Sequence, residues 1–217
     1  VTVLMTIFLL DESLTPAQRL ARRSNAQSKL GAHEVARNSS LLLTMGIGFF
    51  AQLSIALMNS TMALYGEHVI FAGQTTDTIH FGNGLIYSGI GVGQVAAQLF
   101  FLRPLIARYG EKRLVVYGAI CRGLSMISIV LFISPYWVGG VAMPLLAISS
   151  GIMMPSVQTL ATTSVSRGVS GAALGWYQSA ATMGIILGTA LGGQFFTLSP
   201  MLPYLIAGGV LLLACAT

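Results

Sequence analysis

Apolar residues along this chain fall in long, nearly unbroken runs, and short polar stretches separate them. A helical run of about 20 residues is long enough to cross a hydrocarbon layer about 30 Å thick. The runs place candidate spans at 41–64, 83–102, 114–133, 136–163, 171–196 and 203–217, the fourth and fifth with length to spare for a tilt or kink. They lack the period-two alternation of membrane barrel strands. The pattern therefore predicts an all-α polytopic membrane protein, a six-helix transmembrane bundle over 41–217. Residues 1–10 read as the end of a preceding transmembrane helix. Residues 11–40 read as a cytoplasmic linker, with Arg19, Arg22, Arg23, Lys29 and Arg37 against Asp11, Glu12 and Glu34. The first ten residues have neither the basic leader nor the cleavage pattern of a signal peptide, and both ends read as cuts within a longer sequence.

Composition excludes most soluble classes. Of 217 residues, 54% are hydrophobic and 8% charged, with a mean hydropathy of +0.78. A hydrated globular surface takes roughly a quarter of a chain as Asp, Glu, Lys and Arg. The net charge of +5 does not point to nucleic acid, because the basic residues sit between apolar runs, where Lys and Arg mark the cytoplasmic side. The linker holds five of them, the segment 66–82 none, and the segment 103–113 has Arg103, Arg108, Lys112 and Arg113. The turn at Ser134-Pro135 has none, the loop 164–170 has Arg167, and the last turn, Ser199 to Pro203, has none. This alternation predicts an integral membrane protein with its C-terminus in the cytoplasm; the membrane expected is a bacterial inner membrane. Cys121 and Cys215 both lie inside apolar runs and read as free thiols.

Prolines inside a helix are tolerated in membranes, where neighbours satisfy the freed carbonyl; the fourth span carries Pro144 and Pro155. Glycines four apart flatten a helix face for close packing. The fifth span has Gly171, Gly175, Gly184, Gly188, Gly192 and Gly193, and the second has Gly89 and Gly93.

Four stretches carry a resemblance. They are Phe8-Leu9-Leu10-Asp11-Glu12-Ser13, the basic run from Arg103 through Arg108 and Gly110 to Lys112 and Arg113, Gly151-Ile-Met-Met-Pro155-Ser-Val-Gln158, and Gly184-Ile-Ile-Leu-Gly188-Thr-Ala-Leu-Gly192-Gly193. In this order they resemble the C-terminal half of a major facilitator superfamily transporter of the drug:proton antiporter branch, similar to the tetracycline-efflux group. The resemblance implies twelve helices in two halves, with substrate held near the midplane between them. It also makes Arg103, Arg108, Gly110, Lys112 and Arg113 a cytoplasmic gate loop, and Gly184, Gly188, Gly192 and Gly193 a helix-packing set. Arg103 and Ala107 stand where the family's basic loop has glycine and aspartate, and Thr189 replaces the proline of the antiporter signature. The first two changes put the loop's locking role in question but not its charge.

Arg122 is the one charged residue well inside a span, about 13 Å along the axis from Arg113. Burying it costs about 3 kcal/mol by insertion scales, so it should meet a cavity, a carboxylate or a carbonyl; otherwise it snorkels to the headgroups. Relatives of the tetracycline-efflux type have an acid near this place, and the reversed charge implies an anionic or neutral substrate or a different ion pair. Gln52 and Asn59, Gln94 and Gln98, Gln158 and Gln178 must also find partners in the membrane. With Arg122 they form the candidate substrate-binding set, against the plain alternative of interhelical hydrogen bonds. Trp176 and Tyr177 read as packing or interface anchors. No span holds Asp or Glu, and His33, His68 and His80 lie outside the spans.

The expected function is a half of a secondary transporter, exporting a small molecule by alternating access coupled to an ion gradient. Its partners would be the bilayer, the missing N-terminal six-helix half, the substrate and protons. The second reading is a non-transporting, transporter-like subunit or assembly factor of a larger membrane complex. The sequence carries no nucleotide loop, zinc spacing or nucleophile elbow, which implies no enzyme, no metal and no cofactor.

Overall fold

A computed structural model describes residues 30–166 and 168–216. The expected helix end at 1–10, most of the linker and Arg167 lie outside them. Seven helices follow in order: α1 (Ala32–Arg37), α2 (Ser39–Ile70), α3 (Thr76–Tyr109), α4 (Glu111–Leu131), α5 (Pro135–Thr163), α6 (Ser170–Leu198) and α7 (Leu202–Ala216). Helices α2 to α6 are long and apolar enough to span a bilayer, and α7 is a shorter apolar helix. No strand occurs among the described residues, so the chain is an all-α membrane bundle.

The spans reach further than hydropathy alone predicted. The expected outer loop 66–82 shrinks to a turn at 71–75, because α2 continues to Ile70 and α3 starts at Thr76. The expected gate loop 103–113 is not a loop. Arg103 and Arg108 are in the last turns of α3, Lys112 and Arg113 in the first turn of α4, and Gly110 alone separates the two helices. Gly110 has φ 76, a conformation in which an L side chain meets steric repulsion. Its amide closes α3 by donating to the Ile106 carbonyl at 2.9 Å. Charged side chains depress hydropathy, but they do not break a helix that runs into the headgroup layer.

The last part of the expected linker is also ordered. Asn38 caps α2 by accepting from the Leu41 amide and reaches across to donate to the Ser164 carbonyl at 2.9 Å. Trp176 on α6 donates to the Leu30 carbonyl at 3.1 Å, and Val35 of α1 is buried. The segment 30–38 is thus tied to the α5–α6 corner.

Helix α2 packs along α6 over the longest seam; α4 packs on α5 and α7, α3 on α5, and α7 also on α2. Small residues set these distances. A Cβ at Gly184 would collide with the Phe49 carbonyl, one at Gly188 with the Leu53 carbonyl, and one at Gly192 with the Ser60 hydroxyl. At the α4–α7 crossing, a Cβ on Gly208 would lie 2.8 Å from the Gly123 carbonyl. At the α3–α5 crossing, one on Gly151 would lie 2.8 Å from the Gln94 carbonyl. Lipid tails supply little hydrophobic drive between helices, so such close backbone contact carries much of the association. Hydroxyls add to it: Ser54 on α2 donates to the Ala207 carbonyl on α7 at 2.9 Å.

Two long helices widen into a π turn shortly before a proline. In α3 the turn is Ala97–Phe101, ahead of Pro104, and in α5 it is Val138–Ala142, ahead of Pro144. A proline gives no amide to the carbonyl four residues back and its ring crowds that carbonyl; a π turn makes room for it.

Candidate functional site: a polar face shared by four helices

A helix turns about 100° per residue, so each long helix can be divided into faces. On α2, Gln52, Ile55, Ala56, Asn59 and Ser60 share one face. Gln94 on α3, Ser150 and Met154 on α5, and Ile185 and Thr189 on α6 join them around a depression of about 550 Å3. It lies near mid-height of these helices, where lipid would leave polar groups unsatisfied. The Ser150 hydroxyl is buried there without a hydrogen-bond partner among the described residues. Neither α4 nor α7 lines the depression.

The six amides expected from the sequence divide into two groups. Gln52, Asn59 and Gln94 line the depression. Gln98, Gln158 and Gln178 do not, but each is exposed and lies on the same side of its helix, four residues beyond Gln94, four beyond Met154 and seven before Ile185. All three are displaced toward the basic end of the bundle, at Arg103 to Arg113. Ser150, Met154, Ile185 and Thr189 were not among the substrate-binding residues expected from the sequence, although the four-residue steps from Ser150 through Met154 to Gln158 are a usable signal.

Arg122 is elsewhere. It is 0% exposed, so it does not snorkel, and its Nη2 donates to the Ala51 carbonyl of α2 at 2.8 Å. Its Nε and Nη1 and the Tyr177 hydroxyl have no hydrogen-bond partner among the described residues. The Tyr177 ring packs over Gly48 of α2 and is close enough to Arg122 to interact electrostatically. Of the meetings expected for this cation, the carbonyl is the one found. It joins α4 to α2 inside the bundle and is absent from the lining of the polar depression.

The glycines separate in the same way. Gly184, Gly188 and Gly192 press on α2, whereas Gly193, expected with them, has no atom of the described residues within 4 Å of its Cβ position, and neither do Gly89, Gly171 and Gly175. The reason is angular: Gly193 is about 100° round the helix from Gly192. The described acidic residues are confined to helix ends, with Glu34 in the first turn of α1, Glu67 in the last turn of α2, Asp77 in the first turn of α3 and Glu111 in the first of α4. Among the described residues no three His, Cys, Asp or Glu side chains cluster as a metal site would require.

The chain is similar to known proteins over most of its length. One relative, described as a multi-drug resistance efflux pump PmrA homolog from Lactococcus lactis subsp. lactis (strain IL1403), is 23% identical over 189 residues. The match covers 87% of this chain and 45% of that protein, so the chain spans about half the length of the curated relative it matches. The match to the Major Facilitator Superfamily runs over residues 44–217, from the first turns of α2 to the end of α7, and the chain belongs to that family.

Proposed function

We propose that this chain is the C-terminal half of a secondary transporter that exports a small molecule by alternating access. The observation that carries this reading is the convergence of Gln52, Asn59 and Gln94 with Ser150 and Thr189 on one mid-height face of α2, α3, α5 and α6. Such a face needs a partner other than lipid. In this reading an N-terminal six-helix half covers it, and substrate binds between the halves. Gln98, Gln158 and Gln178 extend the polar path toward the basic end, which lies on the cytoplasmic side of a bacterial inner membrane together with the C-terminus. Amides and hydroxyls without a formal charge suit a neutral or weakly polar substrate. Arg122 acts behind this face, holding α4 against α2 rather than touching the cargo.

The described spans hold no carboxylate away from their ends, so coupling to a proton gradient assigns the titrating group to the other half. The basic corner Arg103, Arg108, Gly110, Lys112 and Arg113 then serves as the cytoplasmic gate element, acting through its charge.

The test uses the full-length protein in proteoliposomes with an imposed pH gradient, and a panel of fluorescent drugs as cargo. Gln52→Ala, Asn59→Ala and Gln94→Ala should each raise KM several-fold for a transported dye, about 1 kcal/mol for one lost hydrogen bond. Their thermal unfolding midpoints should stay near that of the unaltered protein. Unchanged KM in all three would remove this face from the substrate path. If no dye moves and the protein copurifies in fixed stoichiometry with other membrane subunits, the transport reading falls.

A further inference from the structure

A second concavity, of about 390 Å3, lies between α3, α4 and α5. Its α5 wall is Leu145, Ile148, Ser149 and Ile152, spaced as one helical stripe. At 100° per residue that stripe is on the opposite side of α5 from Ser150 and Met154, which line the polar depression. The groove is therefore separate from the substrate face. Its α4 wall includes Leu114, Tyr117 and Cys121, and Tyr109 of α3 closes one end. From Leu114 to Cys121 it runs about 10 Å along the helix axis, from the basic end toward the middle of the bundle.

Most of the lining is apolar, and the one hydroxyl from α5, Ser149, is already donated to the Leu146 carbonyl of its own helix. The polar groups gather at the mouth. Tyr109 and Tyr117 meet edge to face with ring centroids 6.1 Å apart, and the Arg108 guanidinium is 5.5 Å from the Tyr109 ring centre. Arg113 is exposed and stands four residues before Tyr117 on the same stripe of α4. Arg103 and Lys112 add positive charge nearby, and Glu111 is the one acid between 103 and 113. Tyrosines favour the headgroup level of a bilayer, and basic pockets between transmembrane helices suit anionic headgroups.

We propose that this groove binds an anionic phospholipid, with an acyl chain between α4 and α5 and the headgroup phosphate held by Arg108 and Arg113. An apolar slot that opens under two arginines fits a molecule with a negative head and a hydrocarbon tail. A free anion has nothing to place in the slot, and a zwitterionic lipid fits less well, because its ammonium meets the same positive charge. The proposal requires a membrane-embedded bundle but not transport, so a protein that moved no substrate would still bind the lipid.

Native mass spectrometry of the detergent-solubilised full-length protein, titrated with phosphatidylglycerol or phosphatidylcholine, tests it. Phosphatidylglycerol adducts should form at about one tenth of the concentration needed for phosphatidylcholine. The double variant Arg108→Gln/Arg113→Gln should erase that preference. Leu145→Trp, at a groove wall position 40% exposed, should fill the slot and lower phosphatidylglycerol binding at least fivefold. A preference that survives the filled slot would reduce the effect to surface attraction and overturn the site, as would equal binding of the two lipids in the unaltered protein. Because a filled slot could disturb folding, Tyr117→Trp gives an independent readout. Its fluorescence should be quenched more by phosphatidylglycerol with brominated tails than by brominated phosphatidylcholine, and equal quenching would also sink the proposal.

Discussion

The two sides of α6 use the same kind of residue for different ends. Toward α2, Gly184, Gly188 and Gly192 let backbone meet backbone, with Tyr177 filling the space over Gly48 about two turns before Gly184. On the far side, Gly171, Gly175 and Gly193 have no atom of the described residues within 4 Å of their Cβ positions, and they share that side with Gln178, Thr182 and Thr189, all exposed. A glycine run in a membrane helix therefore states that something comes close without stating what. Rotation about the helix axis decides which glycines belong to the bundle and which to a surface that the bundle leaves open.

The strongest way to break this contrast is to add side chains on the closed side. Gly188→Val places branched carbons against the Leu53 carbonyl and Ala56, and it should lower stability by about 3 kcal/mol, the upper range for overpacking. Thermal unfolding in a fixed detergent reads this directly, and a midpoint near that of the unaltered protein would mean the seam is looser than its geometry. Arg122 sharpens the point next, because it anchors the same closed interior with one hydrogen bond and leaves two donor nitrogens without partners. Arg122→Ala should cost about 2 kcal/mol through the cavity it leaves. Arg122→Met, which keeps the bulk and removes a poorly paired buried charge, should stay within about 1 kcal/mol of the original. A Met variant as unstable as the Ala variant would show that charge, not volume, holds α4 to α2. The smallest effect is expected at Gly193→Val, within about 0.5 kcal/mol on the same unfolding assay, while transport by the full-length protein should fall if the open side docks on another half. Equal loss of stability at 188 and 193 would erase the distinction between the two sides.

Much of this architecture was legible in the sequence because hydropathy over 20 residues is a strong signal. The middle of every span was found. The ends were not: basic residues lower hydropathy at Arg103 and Arg108, yet α3 continues through them to Gly110. Helix α1 was invisible because one buried Val35 in a short polar helix leaves no periodic trace. At the candidate site, the amides announced themselves as polar groups in apolar runs, and their phase on each helix was readable. Which helices stand side by side is a tertiary fact, so Ser150 and Thr189 emerged only with the fold. Arg122 was found by its charge, but its partner is the Ala51 carbonyl, and a backbone acceptor has no signature in sequence.

The π turns have a mechanical consequence. Helices α3 and α5 run in the same direction, since one helix separates them in an up-and-down bundle. Their soft points, at 97–101 and 138–142, are nevertheless near opposite ends. Each helix thus has a π-turn joint near one end, and the two joints fall near opposite ends of the bundle. Bending at one side need not be transmitted to the other, so either mouth of the bundle can flare while the glycine-locked waist between α2 and α6 keeps its shape.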